Sequence, residues 1–100
     1  MTLTLLAVYS QPEDPAAFDE HYRTVHTPLT QAIPHLESLK VRRVAQTMAG
    51  EGIYMLAEMV FADHQAFEAA AGTPEFRATG KDLKNFAAGR VSLHIIDHAA

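Results

Sequence analysis

The chain has 100 residues, enough for one domain with a single core and a small margin of stability. Hydrophobic residues make up 48% and charged residues 20%, a globular balance, and the net charge of −4 lacks the basic excess of a nucleic-acid-binding protein. The absence of cysteine excludes disulfides, thiol nucleophiles and thiolate metal sites, and no apolar run is long enough for a membrane span.

Leu3 to Ser10 reads as a strand, with Leu3, Leu5, Ala7 and Tyr9 on one alternating face and Leu6 and Val8 on the other. No positively charged region precedes it, so it does not read as a signal peptide, and a cytoplasmic protein is expected. Asp14 and Pro15 then open an amphipathic helix as N-cap and first helical residue. Phe18, Tyr22 and Val25 share a face of it, and Tyr22 and His26 are i, i+4 neighbours. Pro28 biases Thr27 away from helical geometry, so the helix is expected to end near His26. That places an imidazole at the negative end of the helix dipole, beside a phenol, at the rim of an apolar face. His21 precedes His26 by five residues. At α-helical pitch five residues turn about 500°, so the two rings diverge by about 140°, and His21 is expected to face solvent.

Thr27 to Pro34 reads as a loop. Leu36 to Met48 is expected as a long strand, Ala49 to Gly52 as a turn, and Ile53 to Phe61 as the strand that completes a hairpin. Pairing Met48 with Ile53 sets Arg43 opposite Glu58, an ordinary cross-strand ion pair. Lys40, Arg42 and Arg43 form the one basic cluster, and alternation sends the two arginines to opposite faces. Asp63 caps a short helix, His64 to Ala71, closed at Gly72. Thr73 and Pro74 open another, with Phe76, Leu83 and Phe86 on one side. Gly80 weakens this helix by about 1 kcal/mol relative to alanine, and Gly89 ends it. Arg90 to Asp97 is the last strand, with Ser92, His94 and Ile96 on one face and Val91, Leu93 and Ile95 on the other.

The order strand, helix, strand, strand, helix, strand is the α+β, ferredoxin-like βαββαβ sandwich, a four-stranded antiparallel sheet with helices on one face. The strands carry apolar residues on both alternating faces, so the face without helices needs another cover. A homodimer packed sheet to sheet is expected.

His26 with Tyr22 is the best catalytic pair. Neutral imidazole is a general base near pH 7, and a phenol can donate to a developing enolate. The structural alternative is a histidine that merely closes the helix. Tyr9, Phe18, Met55 and Phe76 are candidates to line an apolar ligand pocket, and His94 faces either that pocket or the dimer interface. No metal site is expected, because Asp97 and His98 beside His94 lie close to the chain end and no convincing ligand set is assembled. No phosphate-binding loop and no nucleophile elbow are present.

The residues Tyr9, Pro12, Asp14-Pro15-Ala16-Ala17-Phe18, His21-Tyr22 and His26-Thr27-Pro28-Leu29, followed by the hairpin and the Thr73-Pro74-Glu75-Phe76 segment, resemble the EthD family of the dimeric α+β barrel superfamily. The resemblance spans essentially the whole chain as a single domain, 1–100. It implies a ferredoxin-like protomer whose sheet forms a barrel with that of a second copy, and a cavity for a small molecule. The family is named for a role in ethyl tert-butyl ether degradation. Related superfamily members include cofactor-free monooxygenases, muconolactone-type isomerases, polyketide cyclases and haem proteins. The family's motif histidine corresponds to His26. The expected function is binding of a small apolar or aromatic carbonyl compound in a catabolic pathway, with cofactor-independent isomerase, cyclase or oxygenase activity. The alternative is a non-enzymatic ligand-binding or accessory dimer. No cofactor, nucleic acid or membrane is expected as a partner.

Overall fold

Four strands pair into one antiparallel sheet in a computed structural model that describes residues 2–97. They are β1 (Leu3–Tyr9), β2 (Leu36–Arg43), β3 (Met55–Phe61) and β4 (Val91–Asp97), ordered β2-β3-β1-β4. Between β1 and β2 run α1 (Pro15–His21), a π-helical segment (Tyr22–His26) and α2 (Thr27–Gln31), and between β3 and β4 run α3 (His64–Ala71) and α4 (Pro74–Phe86). This is the expected βαββαβ sandwich. His98 lies outside the described residues.

Three helix starts are capped by the side chains that predict them. Asp14 accepts from the amide of Ala17, Asp63 from that of Ala66 and Thr73 from that of Phe76. Gly89 turns the chain from α4 into β4 at φ +72°, where a side chain would be strained.

The sheet's inner face, on the helix side, runs in aligned rows: Leu39, Met59, Leu5 and Ile95, then Val41, Ala57, Ala7 and Leu93, then Arg43, Met55, Tyr9 and Val91, with Val41, Leu93 and Ile95 left exposed toward the edges. Leu3 and Phe61 extend this face, and both are fully buried. The outer face carries Ser38, Val60, Thr4 and Ile96, then Lys40, Glu58, Leu6 and His94, then Arg42, Leu56, Val8 and Ser92. It is therefore apolar mainly along the two central strands and polar toward β2.

Two expectations are corrected. The first helix does not stop at His26 but continues to Gln31. The amide of Thr27 donates to the carbonyl of Tyr22, five residues back, and this wider turn eases the clash a proline ring would otherwise make with the Thr24 carbonyl. The hairpin register also differs. β2 ends at Arg43, which lies opposite Met55, and Lys40 lies opposite Glu58. The expected register would have swung Leu39 and Val41 to the outer face; the observed one keeps them in rows with Met59 and Ala57. A wide loop then connects the strands, closed by the amide of Ile53 donating to Thr47 Oγ1 at 3.3 Å. Glu58 pairs with Arg42 on its own face, at 2.8 Å, while Arg43 crosses to Asp19 of α1 at 2.9 Å and lies over the ring of Tyr54.

Phe61 is 0% exposed beneath α3, and Met48 is 94% exposed in the wide loop. Phe61→Ala is expected to cost about 3–5 kcal/mol in urea unfolding, and Met48→Ala less than about 0.5 kcal/mol.

Candidate functional site

The inward stripe of α4 is Phe76, Thr79, Leu83 and Phe86, and Asp82 falls inside it at 4% exposure. A carboxylate taken from water needs partners. It has three: His21 Nε2 at 2.9 Å, His26 Nδ1 at 2.9 Å and the side-chain amide of Asn85 at 3.1 Å. Among the described residues no buried side-chain polar atom is left without a partner.

His21 and His26 reach one carboxylate because the helix between them is π-helical. A turn closed over five residues brings His26 back over His21, where an α-helix would splay them apart. The expectation of a solvent-facing His21 is thereby corrected: it is half-buried and hydrogen-bonded to Asp82. Phe86 lies against both imidazoles, with ring centroids 4.8 Å from His21 and 4.9 Å from His26, and Tyr22 packs on His26 at 5.2 Å.

Burial pulls the His26 imidazole below its ordinary 6.5, against the opposing pull of Asp82. Burial pushes the Asp82 carboxyl up, but its hydrogen bonds to His21, His26 and Asn85 outweigh that and hold it below its ordinary 3.8. Burial pushes the Tyr22 phenol up to about 12 and raises that of Tyr9 further. Both phenols therefore stay protonated near neutrality and keep a hydrogen to donate.

His26 forms part of the wall of a cavity of about 50 Å³ between the sheet, the π-helical segment and α4, with Ile33 also lining it. Tyr9 and Phe76, both predicted to bind ligand, line the same cavity, along with Met59 and Leu83. Phe18 borders an open cleft of about 520 Å³ on the His21 side, and Tyr22 and Met55 border another of about 560 Å³ beside Arg43. His94 sits apart on the outer sheet face, exposed, with Nε2 3.0 Å from Ser92 Oγ. Asp82 and His21 were not among the predicted site residues. Asp82 had a sequence signal, an acidic residue within an inward helical stripe. His21 had none, because the π-turn is invisible to a periodicity of 3.6.

Among the described residues no group of three or more acidic or histidine side chains is placed to hold a metal ion, and no helix is long and apolar enough to cross a membrane. One nitrogen of each imidazole faces the Asp82 carboxylate, His21 Nε2 at 3.0 Å and His26 Nδ1 at 2.9 Å from the same oxygen, Oδ2.

The folded-state pKa values of His26 and Asp82 both lie below their unfolded ones, so the unfolded chain binds more protons in acid and stability falls on acidification. The His26 contribution is complete above its unfolded value and is lost as pH falls toward its folded one; that of Asp82 follows in stronger acid. Melts across about pH 8 to 3 are expected to show Tm starting to decline below about pH 6.5, and His26→Gln should remove this first decline. A wild-type Tm that stays level down to about pH 4.5 would contradict the buried neutral imidazole.

Residues 10–90 match the family model described as the EthD domain. An uncharacterized 11.0 kDa protein from the thcB-thcC intergenic region of Rhodococcus erythropolis is 36% identical over 92 residues, covering 90% of this chain and 88% of that one. The crystal structure of an ethyl tert-butyl ether d (EthD) family protein from Bacillus halodurans superposes with a TM-score of 0.92 at 42% identity, covering 99% of this chain and 100% of that one. A cofactor-independent oxygenase from Streptomyces nogalater, SnoaB, shares the fold with a TM-score of 0.70 at 15% identity, covering 99% and 94% of the two chains. Other solved neighbours are described as dimeric proteins of ferredoxin-like fold.

Proposed function

The chain belongs to the EthD family, and from that premise we propose that it is a homodimeric small-molecule enzyme in which His26 removes a proton beside the carbonyl of an apolar or aromatic compound. The observation that carries this reading is the 2.9 Å contact between His26 Nδ1 and the buried Asp82 carboxylate, with the imidazole at the wall of an apolar cavity. The carboxylate holds the proton on Nδ1 and leaves Nε2 as the base. As the substrate C–H bond breaks, its electron pair moves to the carbonyl oxygen and the proton binds Nε2. Asp82 stabilises the imidazolium that forms. Tyr9, protonated and lining the same cavity, donates to the enolate oxygen; Tyr22 packs against the imidazole and orients it.

The enolate then has several fates. Return of the proton to another carbon is isomerisation, and attack on a second carbonyl is cyclisation. Reaction with dioxygen is a third, favoured by the fold shared with the Streptomyces oxygenase. A second reading, in which the dimer holds a ligand without transforming it, is favoured by the His26–Asp82 contact being complete as a structural one, with no buried polar side-chain atom among the described residues left unpartnered.

The dimer joins the outer sheet faces, where Leu6, Leu56, Val8 and Val60 form the apolar centre. Neighbours of this fold described as dimeric support a dimer, and the apolar centre supports its placement on this face. Leu56→Glu is expected to yield monomers by light scattering; a variant of unchanged mass would place the interface elsewhere.

A panel of apolar and aromatic ketones in deuterated water, followed by proton NMR, tests the base. Wild-type protein should accelerate exchange beside the carbonyl, and His26→Gln should slow it by about 10²–10⁴-fold. Exchange undiminished in the variant removes His26 from the chemistry. Binding without exchange would support the ligand-holding reading.

A further inference from the structure

We propose that Gly80 of α4 and Leu93 of β4 frame the portal through which a narrow, uncharged, apolar molecule reaches His26, and that the missing side chain at position 80 sets the bulk it admits. This rests on reading the His26 cavity as a ligand site.

A glycine in a helix interior weakens that helix relative to alanine, so it needs a reason. The backbone supplies none: positive φ angles among the described glycines occur at Gly50 and Gly89, and Gly80 is an ordinary helical residue. Packing supplies none either, since a Cβ built at Gly80 meets nothing within 4 Å. Gly80 is nevertheless exposed at the surface while lining the same cavity as the buried His26.

Across the opening stands Leu93, on the inner face of the sheet yet 51% exposed, with Ile95 beside it at 55%. No helix covers this stretch of β4, so an apolar track runs from solvent past Gly80 and Leu93, over Leu83 and Phe76, to the imidazole. No Asp, Glu, Lys or Arg lines it. The enclosed part holds about 50 Å³, against the roughly 300–1,000 Å³ of pockets that swallow a drug-sized ligand. Only the reacting end of a ligand fits inside, and its remainder must lie in the portal, where a side chain at position 80 would stand.

Two homologous series test this: alkyl phenyl ketones from acetophenone to hexanophenone, and the matching alkylbenzenes, titrated by ligand-observed NMR. With wild-type protein, affinity should rise with alkyl length. Gly80→Ala should raise Tm by about 4–8 °C while weakening the longer ligands, an opposition that a purely structural glycine would not produce. Gly80→Leu should weaken the longest members by about tenfold or more with the dimer mass unchanged. Undiminished binding to Gly80→Leu overturns the portal, as does loss of binding accompanied by a change of mass, or failure of both series to bind wild-type protein. The alkylbenzenes separate the portal from the base. If they bind and Gly80→Leu excludes them while no ketone exchanges deuterium, the portal stands and the base assignment falls. If ketones exchange through His26 and bind Gly80→Leu as tightly as wild type, the base stands and the portal falls.

Discussion

One buried carboxylate organises the helical layer of this protein. Asp82 lies in the apolar stripe of α4, where an ionised group is tolerable only with hydrogen-bond donors around it. Those donors come chiefly from the other helical segment, His21 and His26, so the two halves of the βαβ repeat are joined through a polar contact inside an aromatic surround. Satisfying Asp82 and orienting the His26 imidazole are thus a single structural act. The tautomer that answers the carboxylate is also the one that turns a basic nitrogen away from it.

The π-helical segment is what makes that contact possible. It widens the helix in front of Pro28 and aligns two histidines that regular pitch would separate. A π-turn is a costly conformation for a short stretch, and here it is held on both sides. Phe18 and Tyr22 pack against Tyr9 of β1, and Thr30 Oγ1 bonds the carbonyl of His26. The irregularity therefore falls at the proposed site, and functional sites are a common location for such turns.

The sheet divides its labour between faces and edges. Its inner face builds the core along β1 and β3, and its outer face keeps an apolar centre, the face proposed to meet a second copy. At β4 the inner face runs out from under the helices. Leu93 and Ile95 are left exposed there, and Leu93 lines the same small cavity as the imidazole. On the proposed reading of His26, an uncovered edge beside the buried imidazole would give access without a large void in a domain of this size, where every cavity subtracts from a thin margin of stability.

Much of this was written in local sequence. Alternation defined the four strands, and Asp14, Asp63 and Thr73 marked three helix starts, because caps and periodicity act over a few residues and need no tertiary partner. The order of elements was enough for the βαββαβ sandwich, and the Tyr22–His26 spacing predicted that the two rings lie together, as they do at 5.2 Å. What local rules could not decide were quantities set at a distance. The register of β2 on β3 depended on which face Leu39 and Val41 must share with the core, not on the nearest turn residues. The continuation of the helix through Pro28, and with it the turning of His21 inward, depended on a carboxylate about sixty residues further along the chain. A periodicity of 3.6 presumes a helix free to choose its own pitch; this one takes its pitch from the packing and hydrogen bonding of α4 against it, and only the folded chain brings those together.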